Sequence, residues 1–123
     1  MKIGISASSD SLDANVDSRF GRCPFFVILD SETMESKVIR NDSANSAHGA
    51  GIQAAQTIAN AGVEAVITGN IGPNAFNVLT AAGIKTVTGA SGSVRDAVKK
   101  YKNGQLVETE RPTVGNHSNM RRG

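Results

Sequence analysis

The chain has 123 residues, 39% of them hydrophobic, with thirteen glycines, four phenylalanines, one tyrosine and no tryptophan. One domain accounts for that length, and a core of Ile, Val, Leu and Ala with a few Phe suits a parallel sheet covered by small-residue helices. The formal charge of +2 is too small to mark a nucleic-acid binder, and the basic residues are scattered apart from Lys99, Lys100 and Lys102 on one stretch and Arg121 and Arg122 near the end.

Residues 2–7, KIGISA, are short, apolar and β-branched in alternation, which predicts a buried first strand, followed by the polar loop SSDSLDANVDS. The opening residues hold no apolar run long enough for a signal peptide, and nowhere do eighteen apolar residues follow one another, so a cytoplasmic protein with no membrane partner is expected. FFVILD at 25–30 and SKVIR at 36–40 predict two strands joined as a hairpin through SETME. From Gly49 the period changes: Ile52, Ala55, Ile58 and Ala59 share one helical face, and Gly62 supplies a left-handed stop. A unit then appears twice, as AGVEAVITGNIGPNAFNVLTAAG and AGIKTVTGASGSVRDAVKKYKNG, each with an Ala-Gly lead-in, a strand, a Gly-x-x-Gly loop and an amphipathic helix. Pro73 occupies a first helical position where a missing N–H is tolerated, and Ser93 with Asp96 three residues on forms a capping signal. QLVE at 105–108 predicts a short edge strand. Residues 111–123 lack periodicity and are expected to be a flexible tail behind a domain of residues 1–110.

The order β-β-β-α-β-α-β-α implies an α/β fold of the ribonuclease H-like kind: a mixed five-stranded sheet, order 3-2-1-4-5, strand 2 antiparallel to the rest, helices on both faces. In such a sheet, loops leaving the carboxyl ends of parallel strands gather on one edge, where ligands bind. Four segments are expected there: the loop after strand 1, His48-Gly49-Ala50-Gly51, Gly69-Asn70-Ile71-Gly72 and Gly89-Ala90-Ser91-Gly92. Glycine before a helix is often a simple tight turn. Three such starts at equivalent places, each with unpaired N–H groups, also make an electropositive rim suited to an anion.

No Gly-x-x-x-x-Gly-Lys-[Ser/Thr] and no Gly-x-Gly-x-x-Gly occurs, so no nucleotide is expected. A two-metal nuclease needs carboxylates on the central strands; KIGISA has none, and Asp10, Asp13 and Asp17 lie in the loop. No Gly-x-Ser-x-Gly elbow supports hydrolase chemistry, and the chain reads as a non-enzyme. Arg19 and Arg22 bracket Phe20-Gly21 and form a candidate anion clamp as well as ordinary surface charge. His48 is either a metal ligand or a surface histidine at a helix start, and His117 falls in the expected tail. Cys23, the lone cysteine, is read as a small buried hydrophobe or as a thiolate ligand. One thiol per chain cannot hold an iron–sulfur cluster unaided.

Taken in order, Asp17-Ser18-Arg19-Phe20-Gly21-Arg22, Phe26, His48-Gly49-x-Gly51 and Gly69-x-x-Gly72 make the chain resemble the family of nitrogenase iron–molybdenum cofactor biosynthesis accessory proteins over about residues 1–110. The resemblance implies a short stand-alone member with a ribonuclease H-like fold and no nuclease activity. It also implies a role binding or carrying the iron–molybdenum cofactor, its precursor or another metal–sulfur cluster, with metallocluster assembly or recipient proteins as partners. Such a ligand is anionic, so helix N-termini, arginines and a histidine are apt receivers. The expected binding residues are Arg19, Phe20, Gly21, Arg22, His48, Gly49 and Gly51, then Gly69, Asn70, Gly72, Gly89 and Gly92, with His48 and Cys23 as candidate metal ligands. The alternative is a non-catalytic module of the same fold whose cleft takes a protein segment or a phosphorylated metabolite.

Overall fold

The computed structural model describes residues 1–45 and 49–113. Its five-stranded sheet is built around β1 (Lys2–Ala7), which pairs antiparallel with β2 (Phe25–Asp30) and parallel with β4 (Ala65–Ile67). Outside these lie β3 (Ser36–Arg40), antiparallel to β2, and β5 (Lys85–Val87), parallel to β4, so the order is β3-β2-β1-β4-β5 as expected.

Alternation along β1 divides the core. Ile3, Ile5 and Ala7 point to one face, where Val27, Leu29, Ile67 and Val87 join them under α3 (Val94–Lys102). The opposite face carries α1 (Ala50–Asn60) and α2 (Pro73–Ala81), packed on Phe26, Ile28 and Val66. Gly4 faces α1, and a Cβ there would lie 3.3 Å from Ile58 Cδ1, so glycine lets the helix settle close to the sheet. The buried stripe of α1 is Ala50, Ala54, Ala55 and Ile58. It is rotated from the predicted Ile52, Ala55, Ile58, Ala59 stripe because α1 packs against α2 as well as against the sheet, leaving Ile52 half-buried.

The β2–β3 hairpin forms where predicted. Asp30 Oδ1 accepts the N–H groups of Glu32 (2.8 Å) and Thr33 (3.3 Å), which lowers the pKa of its carboxyl group, and Met34 takes the left-handed conformation (φ 63°). The two central loops share a buried polar knot, in which the Ser6 hydroxyl lies 2.7 Å from both Asp17 O and Thr68 Oγ1.

At the C-terminal end the predicted edge strand reduces to a single bridge, Val87 to Glu108. Its continuation holds on through threonines: Thr109 N donates to Thr86 O, and Thr88 N donates to Thr109 Oγ1 (3.0 Å). Thr113 then clamps Ile71, donating its N–H to Ile71 O (3.0 Å) and accepting Ile71 N–H on Oγ1 (2.9 Å). The chain is therefore still attached beyond residue 110. The rest of the expected tail, with His117, lies outside the described residues.

Candidate functional site

The loop after β1 is set by Asp17. This nearly buried carboxylate accepts the backbone N–H (2.9 Å) and Nε (3.2 Å) of Arg19 on Oδ1, and Arg19 Nη2 (3.2 Å) on Oδ2. The fork fixes an otherwise exposed guanidinium, and the Asp17 hydrogen bond and charge raise the pKa of Arg19. Phe20 is buried against Phe26, ring centroids 5.2 Å apart, and anchors the loop in the core. Asn70 N–H donates to Ser18 O (2.8 Å) and Phe20 N–H to Asn70 O (3.3 Å), stitching this loop to the one after β4. That seam requires glycine: a Cβ on Gly69 would lie 2.7 Å from Ser18 Cα. One on Gly21 would lie 2.9 Å from Gly51 Cα, so the same loop also presses on the first turn of α1.

The result is a cleft of about 550 Å³ between the loop after β1 and the N-termini of α1 and α2. Both helices begin on glycine, Gly49 (φ 73°) and Gly72 (φ −83°, ψ 170°), with no side-chain cap and no acidic residue in the first turn. Gln53 N–H and Phe76 N–H are bonded back to Gly49 O and Gly72 O, so the donors at the rim belong to Ala50, Gly51 and Ile52 on α1 and to Asn74 and Ala75 on α2. Pro73 has no N–H to offer. α3 is the internal contrast. Its start lies away from the cleft, Ser93 Oγ accepts Asp96 N–H (3.0 Å), and Asp96 balances the helix dipole. Two bare helix ends and two arginines thus face one space, which is a positive field.

Of the residues expected at the site, Arg19, Phe20, Gly21, Arg22, Gly49, Gly51, Asn70 and Gly72 line this cleft, and Gly69 lies in the seam beneath it. Gly89 and Gly92 do not. They hold left-handed backbone (φ 78° and 80°) on the way to α3, and Gly92 O accepts Val16 N–H (2.8 Å), because α3 covers the other face of the sheet and draws its loop away. Cys23 takes the buried place that one of its two readings gave it. It is a core residue, fully enclosed among Phe20, Phe26 and the α1–α2 layer, its thiol donating to Phe20 O (3.2 Å). Burial, reinforced by the Asp17 charge, pushes the thiol up to about 12, so without a metal it stays protonated. His48 lies outside the described residues.

Sequence reasoning missed Asn74 and Ala75 as cleft walls, although the Gly-Pro helix start was the available signal. It also missed Asn41, whose Nδ2 donates to Gly21 O (3.1 Å) and Cys23 O (2.8 Å) and holds the arginine loop from behind. Within Arg40-Asn41-Asp42-Ser43 that residue reads as ordinary turn chemistry. Among the described residues no group of three or more His, Cys, Asp or Glu side chains converges as a metal site, and no helix is long and apolar enough to cross a membrane.

A profile of the family described as dinitrogenase iron-molybdenum cofactor matches residues 1–104. The chain belongs to this family. It is similar to the orange protein of Desulfovibrio gigas, solved in its apo form, at 40% identity and a TM-score of 0.89, covering 91% of this chain and 95% of that one. A putative NifB protein from Thermotoga superimposes with a TM-score of 0.77 at 34% identity, covering 87% and 91% of the two chains. An uncharacterised protein of Methanocaldococcus jannaschii is 35% identical over 113 residues, 89% of this chain and 92% of its own length. Family membership associates the chain with cofactor binding, and the described cleft is where its own geometry favours an anion.

Proposed function

We propose that this protein is a non-catalytic binder or carrier of an anionic metal–sulfur cofactor, the iron–molybdenum cofactor or a related cluster, acting in metallocluster assembly or delivery. The observation that carries the reading is Gly72. Its backbone angles are open to any residue, and a Cβ there would meet no atom within 4 Å, so neither strain nor packing asks for glycine. A Ser or Asp would improve the helix start. What glycine preserves is the open floor of the cleft and the unshared N–H groups of Asn74 and Ala75. Gly21 and Gly69 differ, since each lets chain segments of the protein itself approach closely.

A cluster bearing several negative charges is suited by backbone donors and guanidinium charge, which hold it without permanent bonds and let it leave intact. Arg19, preset by Asp17, and Arg22 supply the charge, and His48, the residue before Gly49, is the proposed metal ligand. Metallocluster assembly or recipient proteins are the proposed partners. The loop acids do not favour turnover: Asp17 is engaged by Arg19, and Asp13 pairs with Arg95 at 3.3 Å. Anaerobic titration with isolated iron–molybdenum cofactor tests the reading. The wild type is expected to retain the cofactor through gel filtration, with retention weakened by raised salt, by H48A and by the R19Q/R22Q pair. Absence of retention by the wild type overturns the carrier role, and unchanged affinity in both variants overturns the site.

A further inference from the structure

A second cavity, also about 550 Å³, shares Arg19 and Arg22 with the cleft just described. Its remaining walls are Pro24 and Phe25 at the entry to β2, Arg40 at the end of β3, and the turn after it. The strand register sets Phe25 directly opposite Arg40, so a half-buried aromatic side chain adjoins a guanidinium-bearing position. The turn is built firmly onto the arginine loop. Asn41 N–H donates to Pro24 O (2.9 Å), Asn41 Nδ2 reaches Gly21 O and Cys23 O, and Arg22 Nη1 donates to Ala44 O (2.9 Å).

Charge in this cavity is lopsided. Arg19, Arg22 and Arg40 line it against the carboxylate of Asp42, with Arg19 already paired to Asp17, and Arg40 makes no ion pair among the described residues. The wall keeps a net positive charge with Arg40 outside any described ion pair, which suits a phosphate-type oxyanion. The volume exceeds that of a bare oxyanion and falls within the range of small-molecule pockets, and Phe25 and Pro24 offer apolar surface for an organic body. We infer that this cavity is a second anion site, taking a phosphomonoester-like metabolite, and that through the shared arginines its occupation loosens whatever anion the first cleft holds. The second clause rests on the proposed function; the first stands on this cavity alone.

The experiment uses the cofactor-free full chain, titrated with inorganic phosphate and with phenyl phosphate and followed by amide and arginine Nε–H NMR shifts. Phenyl phosphate is expected to bind several-fold more tightly than inorganic phosphate and to move the signals of Arg40, Asn41 and Asn45. R40Q, on an exposed edge strand, is expected to lose roughly tenfold or more in that affinity. Shifts confined to Gly51, Asn74 and Ala75, or an R40Q affinity equal to wild type, overturn the site. Equal binding of the two probes overturns the organic-ligand assignment. In a second arm, saturating phenyl phosphate is expected to lower retention of isolated iron–molybdenum cofactor by the wild type and to leave R40Q unaffected; unchanged wild-type retention overturns the coupling. If the wild type retains no cofactor even without phosphate, the carrier reading fails, while the first arm still decides the second site.

Discussion

Replacing Gly72 with serine separates stability from binding because the two are expected to move in opposite directions. Gly72 is the N-cap of α2 with extended backbone, the conformation a capping serine needs, and its missing Cβ faces open space. A serine hydroxyl there accepts the N–H of Asn74 or Ala75, worth a few tenths of a kcal/mol over glycine, and the loss of glycine freedom in the unfolded chain adds about 0.4–1 kcal/mol. The sum, about 0.5–1.5 kcal/mol, should raise the thermal midpoint by roughly 2–6 °C for a domain of this size. The hydroxyl also removes a donor from the cleft and fills part of its floor. One charge-assisted hydrogen bond to a ligand is worth about 1.5–3 kcal/mol, so affinity for isolated cofactor should fall roughly tenfold to a hundredfold. Circular dichroism melting and anaerobic titration read the two effects separately. A more stable variant with wild-type affinity would show that the α2 N-terminus is not used. A less stable one would show that the glycine serves the fold, so that no ligand is needed to explain it.

Ser93→Ala is the control on the other face: loss of its bond to Asp96 N–H should cost about 1 kcal/mol in urea unfolding while cofactor retention stays at the wild-type level. Gly69→Ala forces a Cβ against Ser18 backbone and should destabilise by about 1–3 kcal/mol, weakening retention as the seam between residues 18 and 70 opens. Cys23 makes stability fall in alkaline solution. The folded thiol stays protonated to about 12 while the unfolded one ionises near its ordinary 9.0, so its contribution is fully present below about pH 9 and is lost as pH rises toward 12. Unfolding free energies from urea titration should show an added downward slope of up to ~1.4 kcal/mol per pH unit in that window, absent in Cys23→Ala.

Local rules carried the reading far because most elements here obey them. KIGISA alternates, Gly62 stops α1, and Pro73 and Ser93 open α2 and α3, each visible within a few residues. What was not legible depends on which face of the sheet a helix takes. The two Gly-x-x-Gly units look alike in sequence, yet α2 joins α1 while α3 crosses to the other side, so Gly72 reaches the cleft and Gly92 does not. The capping residues held a clue, since the helix that left the cleft is the one with a serine cap and an acid in its first turn. Asn41 escaped, and Cys23 was left between two roles, for a different reason. Their roles come from burial and from partners eighteen residues apart along the chain, which no local pattern encodes.

The position of the cleft follows from chain topology. The connections of the sheet turn in opposite directions from β1 and β4, the neighbouring parallel strands at its centre, and loops leaving such a pair part to form a crevice. Here the crevice is closed at its base by the Ser18–Asn70 seam and the Ser6–Thr68–Asp17 knot, so the loops part only above it. That arrangement puts the guanidinium of Arg19 on one lip and the bare start of α2 on the other, with the start of α1 alongside. Both lips are fixed by backbone hydrogen bonds and close glycine contacts, which require no ligand to form. The positive field is therefore preorganised in the protein itself, and an incoming anion has little ordering cost to offset.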